Sequence, residues 1–343
     1  MTVPQKVAVA ATGIGAGLLG LKLFRRSKEP ELAGEVAIIT GGSRGLGLLL
    51  AHEFAREGCR IAICARDEEE LSRARQELEK RGAEVLAVRC DVTDREDVQH
   101  LIDATVRRFG QVDILVNNAG LIQVGPVQSK TIDDFDAAMK VMFWGTVYPT
   151  LTLLPEFVSR KKGRIVNITS IGGKVSVPHL LPYTCAKFAA AGFSEGLRAE
   201  LAPEGITVTT IAPGLMRTGS YLNALFKGDR EAESKWFSLG ASLPGISISA
   251  KRAARQIVTA AKRGESERVL SSPAKLLAKF HGLFPGATSD ILGLISGAIL
   301  PDDNAKNRAR KGSKMAGLRS PAMSALLLLG RLAARKFNQT HVT

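Results

Sequence analysis

Between residues 33 and 271, short apolar runs alternate with helix-length charged segments, and this alternation restricts the fold more than any other feature. The runs are Glu35–Thr40, Arg60–Cys64, Glu84–Cys90, Val112–Val116, Arg164–Thr169, Ile206–Ile211 and Arg268–Ser271. Leu46–Glu57, Glu68–Arg81 and Arg95–Phe109 exemplify the segments between them. Strands that alternate with helices form a parallel sheet, because each right-handed crossover carries a helix back over one face. The expected fold is therefore α/β, a doubly wound parallel sheet of Rossmann-like form, with its ligand at the carboxyl ends of the strands. An apolar content of 45% supplies the core.

The first strand runs into Thr40-Gly41-Gly42-Ser43-Arg44-Gly45-Leu46-Gly47, and a helix follows. Gly41, Gly45 and Gly47 let backbone approach a pyrophosphate, while the helix start offers free N–H groups and the positive end of its dipole. In this setting a glycine trio predicts a dinucleotide site. An NAD site normally ends its second strand on an acidic residue that holds the ribose 2′-hydroxyl. Here that strand ends Cys64-Ala65-Arg66, and Arg66 together with Arg44 offers guanidinium forks for a 2′-phosphate. NADP (NADPH) is expected over NAD. Asp67 reads as the N-cap of the next helix, with Glu70 three residues on.

Ser170 ends the fifth run, and Tyr183-Thr184-Cys185-Ala186-Lys187 follows. Residues four apart share a helix face, so Lys187 lies one turn from Tyr183. A tyrosine of pKa near 10 needs a neighbouring cation to reach its phenolate near neutrality. Ser170 can donate to a developing alkoxide. A proton donor, an oxygen holder and a dinucleotide turn are the equipment for reversible carbonyl reduction, with the hydride coming from nicotinamide.

These residues resemble the short-chain dehydrogenase/reductase family in its classical form, over about residues 33–271. Thr40-Gly41 with Gly45 and Gly47 is similar to its cofactor turn, Asp91-Val92 to its adenine-contacting pair, and Asn117-Asn118-Ala119-Gly120 to its sheet-stabilising motif. Ser170, Tyr183 and Lys187 match its catalytic residues, and Pro213-Gly214 with Thr218 match the segment beside the nicotinamide. The resemblance implies that Lys187 also holds the nicotinamide ribose, and that homo-oligomers form through two helices flanking the catalytic segment. One position departs. The family commonly carries an asparagine three residues before a helix glycine, completing a proton relay; here Val141-Met142-Phe143-Trp144-Gly145 places Met142 there, beside Phe143.

The segment after Pro213 carries Tyr221, Leu222, Leu225, Phe226, Trp236, Phe237 and Leu239. In the family this region covers the substrate, so a hydrophobic small molecule is expected: a steroid-like, sphingoid or long-chain acyl ketone or alcohol. Ordinary packing of a lid explains the same residues. The competing functions are a soluble 3-oxoacyl-type reductase and a non-catalytic NADP-binding scaffold, the latter suggested by Met142.

The net charge of +14 is concentrated at the two ends. Lys6, Lys22, Arg25, Arg26 and Lys28 face only Glu29 in residues 1–30, and nine basic residues face Asp302 and Asp303 in 302–343. No nucleic-acid partner is expected, because no aromatic-basic groove motif accompanies the charge. Val7–Phe24 is apolar apart from Lys22, and eighteen helical residues reach about 27 Å, close to a hydrocarbon core of about 30 Å. The basic cluster after it places the catalytic domain in the cytoplasm, membrane-associated through the N-terminus. A peripheral N-terminus, a cleaved signal and a cytoplasmic protein are the alternatives. The expected organisation is an anchor with basic flank at 1–32, the catalytic domain at 33–271, and a basic, partly apolar extension at 272–343. Within that extension, 275–300 is too interrupted for one spanning helix, 301–319 reads as a loose linker, and Ser320-Pro321 opens an apolar helix that either docks on the core or lies on a membrane. The four cysteines follow no metal or disulfide spacing, and no metal is expected.

Overall fold

The structure is a computed structural model that describes residues 31–301, 308–315, 318, 323 and 326–339. Seven strands form one sheet: β1 Val36–Thr40, β2 Arg60–Ala65, β3 Val85–Arg89, β4 Ile114–Asn117, β5 Gly163–Ile168, β6 Ile206–Pro213 and β7 Glu267–Leu270. Their spatial order is β7-β6-β5-β4-β1-β2-β3, and every pairing is parallel. The doubly wound sheet expected from the alternation is the one found, with strand limits within two or three residues of the sequence reading. The chain reverses its direction of winding between β1 and β4. That switch point opens a crevice at the carboxyl edge of the sheet, where loops from both halves meet.

The β1 side chains show why these strands are apolar throughout. Ala37 and Ile39 enter a core with α1 Gly45–Arg56, α2 Glu68–Glu79 and α8 Ala250–Lys262. Val36 and Ile38 enter the opposite core with α3 Arg95–Phe109, α5 Gly145–Arg160 and α6 Leu181–Leu201. Successive side chains point to opposite faces, so a strand covered on both sides must be hydrophobic at every position. The inward face of α8 is mostly small: Ala253, Ala254, Ala260 and Ala261 are buried there with Ile257.

Polar side chains tie the strand ends together. Asn117 donates to Asn167 Oδ1 at 2.8 Å and to Thr150 Oγ1 at 3.0 Å, and Asn167 passes the chain on to Ser194 and Thr210. This buried network crosses β4, β5 and β6 and reaches α5 and α6. Partnered in this way, polar groups fix a single arrangement of layers.

A third apolar cluster forms a cap over the carboxyl edge. Tyr221, Phe226 and Phe237 pack there with Val124, Leu180, Met315, Leu318 and Leu327. α7 Arg230–Ser242 belongs to this cap, and α4 Ile132–Met139 leads into a π-helical turn, Lys140–Trp144, before α5. The region read as one interrupted apolar stretch is two helices, α9 Ser272–Leu283 and α10 Pro285–Ile299, because Pro285 starts a new helix where it would break an old one. The linker expectation needs correction: Arg310–Lys311 pairs antiparallel with Leu225–Phe226. α11 Leu328–Lys336 docks on the body, with Ala333, Ala334 and Phe337 buried. Among the described residues no helix is long and apolar enough to cross a membrane, and Val7–Phe24 lies outside them.

Phe54 is fully buried between α1 and the sheet, whereas Ile132 is 76% exposed. Urea denaturation is expected to show a loss of about 3–5 kcal/mol for Phe54→Ala, and a change within about 0.5 kcal/mol for Ile132→Ala.

Candidate active site

The Gly41–Gly47 turn sits at the carboxyl end of β1, against the end of β4. Thr40 Oγ1 accepts from the backbone N–H groups of Asn118 (2.9 Å) and Ala119 (3.1 Å). Asn118 Nδ2 returns bonds to the carbonyls of Thr40 (2.9 Å) and Gly41 (3.2 Å). Two loops from opposite sides of the switch point are thereby clasped together. Gly41 takes φ +63°, a conformation suited to glycine. A Cβ on Gly47 would collide with the Gly41 carbonyl oxygen, so the turn can close against α1 only with glycine there. This cradle fits a dinucleotide pyrophosphate: it is tight, backbone-lined, and aimed along the start of α1.

The expected cofactor residues divide on inspection. Ser43 Oγ donates to Glu70 Oε2 at 3.3 Å, and Arg44 pairs with Glu70 Oε1 at 2.6 Å. Asp67 caps α2 by accepting from the Glu70 N–H at 2.9 Å, as the sequence implied, and the Glu70 carboxylate turns toward the glycine turn. Arg66 stands at the end of β2 with a 70% exposed side chain and reaches Asp91 only at 3.8 Å. Asp91 accepts from Thr93 N (3.0 Å) and Oγ1 (2.9 Å), Val92 is buried beneath Gly145, and Leu46 is buried at the start of α1. Asn117 belongs to the buried network already described. Pro213 ends β6, the Gly214 N–H donates to Leu270 O at 3.2 Å, and Thr218 is buried with its hydroxyl accepting from Ser220 N at 3.2 Å.

Ser170, Tyr183 and Lys187 come together at the end of β5. The Ser170 hydroxyl and the edge of the Tyr183 ring both flank Gly172, close enough for the serine to favour the phenolate, and the Ser170 hydroxyl accepts the Gly172 N–H at 3.0 Å. Lys187 Nζ donates to the Ile168 carbonyl at 2.7 Å and lies 5.9 Å from the centroid of the Tyr183 ring. Burial pushes the Tyr183 phenol above its ordinary value, and the Ser170 hydroxyl offsets part of that rise. Burial lowers Lys187 to about 8. The expected lowering of the phenol by the ammonium is not found: burial sets its direction, and Lys187 stands 5.9 Å from the ring centroid with Nζ donated to the Ile168 carbonyl. The geometry places a proton donor, a second hydroxyl and a buried cation around one point at the crevice.

Met142 fills the position where an asparagine was sought. It is buried in the π-helical turn and packs with Ala138, Ala186 and Tyr183. The Thr146 hydroxyl donates to the Met142 carbonyl at 2.9 Å, which satisfies the main chain that the π-turn displaces. An apolar plug thus stands beneath the tyrosine in place of an amide.

Sequence reasoning did not find a buried carboxylate that joins the cap to the catalytic loop. Glu233 on α7 accepts from Trp236 Nε1 at 2.6 Å and bonds His179 Nδ1 at 2.6 Å. His179 holds φ +61° and lies between Ser170 and Tyr183 in the chain. No spacing rule links residues 54 positions apart. Of the seven apolar cap residues, Tyr221, Phe226 and Phe237 pack as core, so the ordinary-packing reading holds for them. A cavity of about 480 Å³ lies beside this region, between Pro126–Gln128, Val175–His179 and α10. Among the described residues there is no cluster able to hold a metal.

The profile described as "short chain dehydrogenase" matches residues 35–224. The chain is 34% identical to "11-beta-hydroxysteroid dehydrogenase A" of Sesamum indicum over 250 residues, covering 71% of this chain and 70% of that protein. It is 34% identical to "Putative oxidoreductase SadH" of Mycobacterium tuberculosis over 256 residues, covering 73% of this chain and 91% of that protein. Among solved structures, an actinorhodin polyketide ketoreductase variant with NADPH superposes with TM-score 0.63 at 28% identity, covering 72% of this chain and 99% of that one. A Burkholderia phymatum protein in complex with NAD superposes with TM-score 0.70 at 24% identity, covering 75% and 96%, and so shares the fold.

A lysine held below its unfolded value destabilises the folded state while it is charged. Lys187, lowered to about 8 from 10.5, therefore costs stability below pH 8, and that cost fades as pH rises toward 10.5. Wild type minus Lys187→Met, measured by denaturation without cofactor, is expected to shift in favour of wild type between pH 8 and 10. A difference flat with pH would contradict the assignment.

Proposed function

The chain belongs to the short-chain dehydrogenases, oxidoreductases that act on CH–OH groups, and from that premise we propose an NADP(H)-dependent reductase of lipophilic ketones. The observation that carries the proposal is the Ser170–Tyr183 hydroxyl pair in front of Lys187, at the crevice shared with the glycine turn. A bound reduced nicotinamide supplies the hydride. Tyr183 gives its proton to the carbonyl oxygen as charge builds there, and Ser170 holds that oxygen by hydrogen bond. Lys187 stabilises the phenolate left behind, and would hold the ribose of a bound dinucleotide. In the reverse direction the same tyrosine accepts the alcohol proton. Met142 gives the relay no amide at this position.

The preference for NADP(H) rests on Arg66. Arg44 shares its guanidinium with Glu70, while Arg66 is exposed where the second strand ends and is available to a 2′-phosphate. The NADPH complex of the ketoreductase is consistent with this preference.

Three features support a lipophilic substrate. The cavity beside the cap is lined by Val, Pro, Leu and Gly residues interspersed with Ser, Thr, Gln and His, and reaches the catalytic loop at His179. The helices bordering it, α9 and α10, expose Leu276, Leu283, Leu294 and Ile299 at 70% or more, with Lys275 and Lys279 on α9. A relative is a hydroxysteroid dehydrogenase by name. Apolar side chains beside lysines suit an anionic lipid surface, which gives the enzyme a membrane-associated station with its catalytic domain on the cytoplasmic side.

Turnover of a long-chain or steroid ketone with NADPH is expected to fall about 10²–10⁴-fold in Tyr183→Phe, with nicotinamide binding retained; an unaffected variant would sink the mechanism. In Arg66→Ala the KM for NADPH is expected to rise about tenfold, the loss of one charge-assisted contact of about 1.4 kcal/mol, while that for NADH stays level. An equal rise for both cofactors would remove Arg66 from the 2′-phosphate.

A further inference from the structure

The C-terminal segment ends on the glycine turn. α11 closes with Phe337 as its C-cap and Asn338 at φ +52°, and the Gln339 N–H returns to the Ala334 carbonyl at 2.9 Å. This is a Schellman-type stop, in which asparagine replaces the usual glycine in the left-handed position. The turn sends the next atoms into the crevice.

The Gly45 N–H donates to the Phe337 carbonyl at 2.7 Å. That N–H belongs to the first turn of α1, whose free donors are the natural partners of a phosphate oxygen. The Gln339 side chain fills the space a Cβ on Gly45 would need. Asn338 Nδ2 donates to Ser43 O at 2.9 Å and to Glu70 O at 3.1 Å, and its Oδ1 accepts from Arg73 Nε at 3.2 Å. The contacts therefore run from the pyrophosphate donors toward the end of β2. The other side of the segment holds the cap: Asn223 Nδ2 donates to Gln339 O at 3.1 Å and Oε1 at 2.7 Å, and Ala334 rests on Gly219.

We propose that Phe337, Asn338 and Gln339 form a built-in plug that competes with the dinucleotide for the Gly41–Gly47 turn, so that cofactor binding expels the segment and frees the cap it holds. The proposal rests on reading that turn as the dinucleotide site. A carbonyl oxygen and a phosphate oxygen cannot both accept from the Gly45 N–H at 2.7 Å without crowding each other. A plug docked for most of the time lowers apparent affinity by the fraction of molecules left open. The two parts are also coupled: whatever frees Gln339 also frees Asn223 on the cap.

The test compares NADPH binding by the full chain and by the double variant Asn338→Ala, Gln339→Ala, which keeps α11 and Phe337. NADPH is expected to bind the variant about tenfold more tightly, matching a plug docked in about nine molecules of ten. Wild-type amide hydrogen exchange supplies a reading independent of the variant's folding. Saturating NADPH is expected to accelerate exchange at residues 337–339. Equal affinities, or slower exchange there with NADPH, would overturn the plug, the latter because the segment would then be closing over the cofactor. Absence of NADPH binding by both proteins would instead overturn the dinucleotide reading, and the plug with it.

Discussion

A lysine ammonium buried against a tyrosine ring is costly in free energy, and the chemistry of this protein is arranged around it. Lys187 is 4% exposed, and the Ile168 carbonyl receives its Nζ at 2.7 Å. That carbonyl is available because β5 ends there, where the sheet stops using its backbone acceptors. The same strand end delivers Ser170 two residues later. α6 supplies Tyr183 and Lys187 on one face and is packed on β6, so the three side chains are referenced to a single rigid edge. A charge kept indoors in this way is useful only when a partner develops the opposite charge, as a phenol does on losing its proton.

The fold was legible in the sequence because burial on two faces leaves strands no choice of pattern. Seven apolar runs became the seven strands of one parallel sheet, and Asp67 caps its helix as its position before Glu68 suggested. The glycine turn and the tyrosine–lysine pair were legible for a related reason: they are local, one lying in a single turn and the other one helical repeat apart, with Ser170 at the strand end just upstream. What escaped was non-local. Glu233 meets His179 across 54 residues, and Asn338 meets Ser43 across 295. No periodicity encodes such pairs. The cap stayed open between two readings because a large aromatic reads the same whether it lines a pocket or fills a core; Tyr221, Phe226 and Phe237 fill one.

The departures sit where the chemistry is. Met142 puts a sulfur-bearing apolar chain beneath Tyr183, in a turn whose π-helical winding is satisfied by Thr146. His179 and Asn338 both adopt backbone conformations that few non-glycine residues hold, and each sits at a junction between the cap and the catalytic edge. Strain kept at such junctions is consistent with parts that change position as ligands enter and leave. The cap is tied to the body by the Glu233 carboxylate, by the Lys227–Asp134 ion pair, by the pairing of Leu225–Phe226 with Gln123–Val124, and by the C-terminal segment.

The central claim is that Tyr183 carries the proton and that its acidity is adjusted by the charges around it. An ultraviolet difference titration of wild type minus Tyr183→Phe reads that phenol alone, with and without NADP⁺. The account predicts a titration above the ordinary tyrosine value of 10.0 in the free protein, because burial dominates there and Lys187, at about 8, is already neutral at that pH, and a clear fall once the positively charged nicotinamide enters the site. A phenol that titrates at the same pH in both states would contradict it.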